Sequence, residues 1–352
     1  MACRLGGVRY QVSLCWEPPA HLLAKAPMID VTQLSTLLAS VLLALAIAAL
    51  VGGAKWFTGA AERTGLALGL SPFAVGIFIV AIGTSLPELV ASVVAAAQGT
   101  TEVVSGNVLG ANTALLLLVL GIVSAVSRRG IHLGERYIAI DLNFMLGSAA
   151  LLSLAMWDGG VGRLEGAFLL LCYAAYTGYL LTDGRTASAD ASFDAALPDA
   201  PKRGVRLVDV ATLLAAAGVI FVGANVTLDV LIELATRIGI SPAIASMTIL
   251  SLGTTLPELA VSVTAALRGR AEMAVGNILG SCIFNSFCVV GVASMIGRVA
   301  VPGELLRLPL PCFLGAALLF YLLTQDRRVS RWEGVLFATG YGLLVAELAG
   351  LA

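Results

Sequence analysis

The chain has 352 residues, of which 59% are hydrophobic and 12% charged, with a formal net charge of −1. Soluble domains carry roughly 25% charged residues, so an ordinary water-soluble fold is excluded. So is a nucleic-acid binder, which would need a basic face. The apolar runs are too long and uniform for the alternating strands of a membrane barrel, which leaves an all-α integral membrane protein of bilayer-spanning helices.

Residues 1–30 contain Arg4, Arg9, Lys25 and a Pro18-Pro19 pair but no apolar core of signal-peptide length. They read as a disordered leader or as a start placed upstream of the true one. Ten runs of spanning length follow, at about 33–56, 72–97, 102–127, 136–156, 163–182, 206–236, 242–267, 271–297, 305–324 and 331–350. The one sizeable polar connection, 183–205, holds Asp190, Asp194, Pro198, Asp199 and Pro201 and reads as a linker. It separates a first five-helix repeat, 31–182, from a second, 206–352. Cys172, Cys282, Cys288 and Cys312 lie in apolar runs as small buried hydrophobes, and no disulfide framework is implied.

The two halves repeat one another. Ala81-Ile-Gly-Thr-Ser-Leu-Pro-Glu88 returns as Ser251-Leu-Gly-Thr-Thr-Leu-Pro-Glu258, and Gly106-Asn-Val-Leu-Gly110 as Gly276-Asn-Ile-Leu-Gly280, both displaced by 170 positions (258 minus 88, 276 minus 106). Gly53-Ala54 maps onto Gly223-Ala224, and Arg163-Leu-Glu-Gly166 resembles Arg331-Trp-Glu-Gly334. Five spans is an odd number, so the second half enters the membrane from the opposite side. That is the inverted-repeat plan of many secondary transporters. Fourteen of the 21 lysines and arginines fall in loops on one side, which is therefore expected to be cytoplasmic. Both termini are then expected outside the cell membrane and the linker inside.

Chemistry concentrates in the repeated motif. Pro87 and Gly83 weaken the helix that holds them, which is expected to free carbonyls around Ala81. With the Thr84 and Ser85 hydroxyls and the Glu88 carboxylate, these are oxygen ligands for a hard cation. The second copy offers the Ser251 carbonyl, Thr254, Thr255 and Glu258. Two carboxylates sharing one apolar site repel unless cations or protons lie between them, so the pair balances one divalent ion, two or more monovalent ions, or two protons. Ser281 and Asn285, four apart on one helix face, are positioned to add oxygens. The glycines of Gly106–Gly110 and Gly276–Gly280 are explained by close helix packing alone. Asp141 and Asn143 read as a structural pair or a cytoplasmic-side contact, and Asp229 and Glu233 as a helix end at the interface. There is no nucleophile–base pair, and the two histidines, His21 and His132, lie outside the spans, so an enzyme is not expected.

The doubled motif, Gly83-Thr-Ser-Leu-Pro-Glu88 with Gly106–Asn112 and Gly253-Thr-Thr-Leu-Pro-Glu258 with Gly276–Asn285, resembles the two alpha repeats of the sodium/calcium exchanger family. The resemblance covers residues 33–350. It implies ten transmembrane helices, alternating access, and antiport of Ca²⁺ against Na⁺ or H⁺ without a cofactor. It also implies cation contacts at Thr84, Ser85, Glu88, Thr254, Thr255, Glu258, Ser281 and Asn285 and at the Ala81 and Ser251 carbonyls. The first repeat departs from the family pattern: Ala111 stands for the expected serine and Leu115 for the expected asparagine or aspartate. Fewer sodium ions, or protons, are therefore expected as counter-ion. The expected partners are cations and the lipid bilayer, and no protein partner is inferable. A proton-coupled exchanger, an exchanger of another divalent ion and a non-transporting membrane scaffold are the alternatives.

Overall fold

A computed structural model describes residues 31–70, 72–127, 130–133, 141–183, 204–237 and 255–348. The leader, most of the linker, Ser251 and Thr254 lie outside these residues. The described chain forms helices α1 (Thr36–Ala67), α2 (Pro72–Ala97), α3 (Glu102–Val126), α4 (Leu142–Met156), α5 (Arg163–Asp183), α6 (Leu207–Arg237), α7 (Leu256–Leu267), α8 (Ala271–Ile296), α9 (Gly303–Leu323, interrupted at Leu308) and α10 (Arg331–Leu348). Six of these are long and apolar enough to cross a bilayer. Leu37, Trp56, Leu164, Leu214, Trp332 and Leu343 stand exposed on outward faces, an arrangement that suits lipid and not water.

Two expectations are corrected. Helix α1 does not end near residue 56 but continues to Ala67. Its later charges are accommodated, because Arg63 pairs with Asp209 at 2.6 Å and Glu62 pairs with Arg270. Charge there marks the approach to the membrane edge, not the end of the helix. The helix stops at Gly69, whose φ of +74° suits a residue without Cβ, while the Leu70 N–H donates to the Gly65 carbonyl at 2.9 Å. Secondly, Pro87 does not break α2, which runs through it. The irregularity lies about two turns earlier, in a π-helical stretch over Gly76–Val80. Similar stretches occupy Leu115–Val119 in α3 and Phe284–Val289 in α8; such widened turns often accompany functional sites.

Two short ribbons display the inversion. Strand β1 (Ile131–His132) follows α3, β2 (Gly160–Val161) follows α4, β3 (Val299–Ala300) follows α8 and β4 (Arg328–Val329) follows α9. β1 and β3 are 168 positions apart (299 minus 131), as are β2 and β4 (328 minus 160). Yet β1 pairs antiparallel with β4, and β2 with β3. One traverse, α4, separates β1 from β2, so the two ribbons lie at opposite ends of the bundle. The end of α3 and the end of its repeat-mate α8 therefore face opposite sides.

Close helix contacts obey the same relation. A Cβ on Gly121 of α3 would fall 2.8 Å from the Gly334 carbonyl of α10. One on Gly291 of α8 would fall 3.1 Å from the Gly166 carbonyl of α5. Glu165 and Glu333 each accept a backbone N–H just before their helix, from Gly162 at 2.6 Å and Ser330 at 2.5 Å. The repeated Arg-x-Glu-Gly motif is thus a helix start followed by a contact glycine.

Helices α3 and α8 are buried along most of their length, whereas α1 and α6 turn much of their surface outward. The latter two form an antiparallel pair. Gly53 and Gly223 let the backbones approach, since a Cβ on Gly223 would lie 3.1 Å from the Leu50 nitrogen. Arg63–Asp209 joins one end of the pair. At the other, Arg237 donates to the Val31 carbonyl at 3.1 Å while pairing with Glu233 at 2.8 Å.

Candidate cation site

The site forms where α2 meets α7 and α8. Three glycines allow the crossing. A Cβ on Gly276 would fall 2.4 Å from the Phe73 carbonyl, one on Gly280 2.7 Å from the Ile77 carbonyl, and one on Gly76 2.3 Å from the Met273 carbonyl. The packing role expected of the second Gly-Asn-x-x-Gly motif is realised here.

This close approach brings the repeated motif of α2 against α7 and α8. Ser85 donates to Glu258 Oε1 at 3.2 Å and lies 3.0 Å from Ser281 Oγ, which can donate to it in turn. Thr84 Oγ1 lies 3.1 Å from the Val80 carbonyl, 3.3 Å from that of Ala81 and 3.3 Å from Asn277 Oδ1, so its one proton serves a single acceptor at a time. The Ala81 carbonyl, expected to stand free, thus has a hydroxyl beside it. Asn277 donates in turn to Ser262 at 2.8 Å.

Glu88 and Glu258 are 2% and 1% exposed, and Thr84, Ser85, Thr255, Ser281 and Asn285 are also buried. Among the described residues, both Glu88 carboxylate oxygens, Glu258 Oε2 and Asn285 Oδ1 have no hydrogen-bond partner. Leaving a buried polar atom unsatisfied costs about 1–3 kcal/mol, and more when it is charged. Three carboxylate oxygens and one amide oxygen in this condition form an acceptor-only set. Such a set suits a hard cation, which takes six to eight oxygens when it is Ca²⁺. Among the described residues no three His, Cys, Asp or Glu side chains cluster as a resident metal site would require. The arrangement is two carboxylates supplemented by neutral oxygens.

Four polar residues escaped the sequence reading: Asn112, Ser262, Asn277 and Ser286. Asn112 of α3 donates to Ser286 at 2.9 Å and accepts from Asn285 at 3.2 Å. Asn277 bridges Thr84 and Ser262. Spacing carried part of the signal: Asn277, Ser281 and Asn285 recur every four residues on one face of α8. Asn112 gave none, since its repeat-mate is Cys282. Asp141, read as a structural residue, accepts from Tyr176 at 3.1 Å.

A narrow crevice lined by Phe57, Gly83, Thr84, Pro87, Ile220 and Pro257 separates the α1–α6 pair from the motif. It places Thr84 and both prolines beneath the outermost helices.

A family model described as sodium/calcium exchanger protein matches residues 38–182 and 208–348. The putative antiporter CaxA of Alkalimonas amylolytica is 30% identical over 316 residues, 87% of this chain and 97% of that protein. The sodium/calcium exchanger MaX1 of Methanosarcina acetivorans is 27% identical over 337 residues, 85% of this chain and 95% of the relative. Among solved structures, the sodium-calcium exchanger NCX_Mj soaked with 10 mM Na⁺ superposes with a TM-score of 0.75 at 25% identity, covering 89% of this chain and all of that one.

Proposed function

The chain belongs to the sodium/calcium exchanger family, and from that premise we propose that it is a secondary antiporter exchanging Ca²⁺ for Na⁺ or H⁺ at a site between Glu88 and Glu258. The observation that carries the reading is the pair itself. Two glutamates from repeat-related positions are buried, and three of their four oxygens lack a partner among the described residues. A divalent ion neutralises both carboxylates at once, and two monovalent ions or two protons do the same. Each cargo therefore substitutes for the other, which is the physical basis of exchange.

Ser85, Ser281, Thr255 and Asn285 complete the proposed set of cation-contacting oxygens, with Thr84 held against the helix beside it. Thr254 and the Ser251 carbonyl join it on the sequence repeat, and the Ala81 carbonyl does so when Thr84 turns away. On this reading the α1–α6 pair slides over the motif and opens the crevice to one side and then the other. Ends joined at Arg63–Asp209 and Arg237–Val31 suit movement as a unit. The lysine and arginine bias supports an orientation with both termini outside and the 183–205 linker in the cytoplasm.

Uptake of radiolabelled Ca²⁺ into proteoliposomes under an imposed Na⁺ gradient, then under an imposed pH gradient, tests the proposal. Uptake driven by either gradient supports it, and uptake driven by neither overturns it.

A further inference from the structure

We infer that exchange at this site is electroneutral: one divalent cation crosses against two monovalent cations, and no net charge moves. The inference rests on the antiporter reading and deepens it. It comes from two observations, the charge inventory of the interior and the asymmetry of the oxygens around the glutamates.

Among the described residues four acidic side chains are buried, Glu88, Glu258, Asp141 and Asp209, and no lysine or arginine is. Asp209 is compensated by Arg63 at 2.6 Å. Asp141, the residue before α4, accepts the Tyr176 hydroxyl of α5 at 3.1 Å, outside the α2–α7 crossing. Two carboxylates remain at the site, with a combined charge of −2 when ionised.

Beside the hydroxyls of Ser85 on α2 and Thr255 before α7, the oxygens that α3 and α8 could add stand on one side only. Helix α8 contributes Ser281 and Asn285. Their repeat-mates on α3, 170 positions earlier, are Ala111 and Leu115, 1% and 0% exposed and filled with hydrocarbon. Asn112, the polar residue between them, is engaged through its amide nitrogen with Ser286 at 2.9 Å and through its oxygen with Asn285 at 3.2 Å. Among the described residues, a third monovalent ion would find no third negative charge at the site and, on α3, no oxygens at the positions that match Ser281 and Asn285.

The energetics set the count. An uncompensated ion in a protein interior costs several kcal/mol, so both limbs of the cycle favour a site whose two carboxylates are matched by two positive charges. The forward limb carries +2 as one divalent ion and the return limb +2 as two monovalent ions or protons.

The test clamps proteoliposomes at 0 or −100 mV with potassium and valinomycin. Ca²⁺ accumulation at equilibrium is then read under a fixed Na⁺ gradient and under a fixed pH gradient. Accumulation is expected to be the same at both potentials under whichever gradient drives it. One net charge per cycle would change it roughly 50-fold over that interval, and such a change would overturn the inference while leaving the antiporter reading intact. Absence of accumulation under both gradients would overturn the antiporter reading and the inference with it. Leu115→Asp supplies a third carboxylate on the α3 side and is expected to confer potential dependence. Its accumulation staying potential-independent while the variant still exchanges would count against the charge inventory as the cause.

Discussion

Ser85 on α2 and Glu258 on α7 lie 173 positions apart in the chain, yet the serine hydroxyl meets the carboxylate at 3.2 Å. The contact joins the motif of one repeat to the glutamate of the other. It places the first copy's hydroxyl beside the second copy's carboxylate, so the two halves contribute to one candidate site.

Glu88→Gln and Glu258→Gln are each expected to reduce exchange by about 100-fold or more without loss of stability, because an amide replaces a buried carboxylate that, among the described residues, has no ion-pair partner and at least one unsatisfied oxygen. Ca²⁺ at 100 times its dissociation constant should stabilise the native protein by about 2.7 kcal/mol, and the variants by much less. Thermal melting with and without Ca²⁺, beside transport rates, checks both statements. A variant that melts early in the absence of Ca²⁺ would argue for a structural role.

Asn112→Ala removes the acceptor of Asn285 Nδ2 and the donor to Ser286 Oγ. Each orphaned group costs about 1–3 kcal/mol, and Asn285 loses the contact that orients its free oxygen. Weaker Ca²⁺ dependence of uptake, by about 10-fold, is expected together with a lower melting temperature. Unchanged apparent affinity would remove Asn112 from the account.

Ala111→Ser combined with Leu115→Asn restores oxygens on the α3 side. Sodium dependence of Ca²⁺ uptake should strengthen, read as a lower half-saturating Na⁺ concentration. An unchanged sodium curve in a folded double variant would show that these two positions do not set counter-ion use.

Glu62 pairs with Arg270, linking the α1–α6 pair to the turn between α7 and α8. Its partly exposed setting limits the worth of the pair to about 1 kcal/mol. Glu62→Gln should therefore change the balance of the two access states by no more than about fivefold. Maleimide labelling of a cysteine introduced at Ile220, on the crevice wall, from each side of the membrane reads the shift. No change in sidedness would mean the pair does not bias the motion.

The contact glycines separate by geometry. A methyl group on Gly121 would meet the backbone of Gly334 at 2.8 Å, whereas on Gly291 its tightest neighbour is the Leu170 side chain, also at 2.8 Å, with the Gly166 carbonyl at 3.1 Å. A side chain yields more readily than backbone. Gly121→Ala is expected to cost about 1–3 kcal/mol and Gly291→Ala less, measured as melting temperatures in detergent. The reverse order would contradict the packing described.

The sequence was most informative where duplication and apolar length coincide. The described helices follow from long apolar runs, with 242–254 of the seventh run outside the described residues, and the common location of the two motif copies follows from the repeat. The end of α1 was not legible, because Lys55, Glu62 and Arg63 sit within a helix that outlasts its apolar run. Nor was the continuity of α2 through Pro87: proline removes a donor, but neighbouring groups decide whether the helix breaks, and Thr84 lies against the Val80 and Ala81 carbonyls just before it. The Asn112–Asn285–Ser286 network was hidden for a different reason. Its members come from two repeats at positions that do not correspond, so internal comparison cannot find them.

The central claim is that Glu88 and Glu258 together seat one divalent cation, and calorimetric titration of the purified protein with Ca²⁺ tests it most directly. The account predicts one Ca²⁺ bound per chain in the native protein and no measurable binding in either Glu88→Gln or Glu258→Gln. Undiminished binding in both folded variants would contradict it.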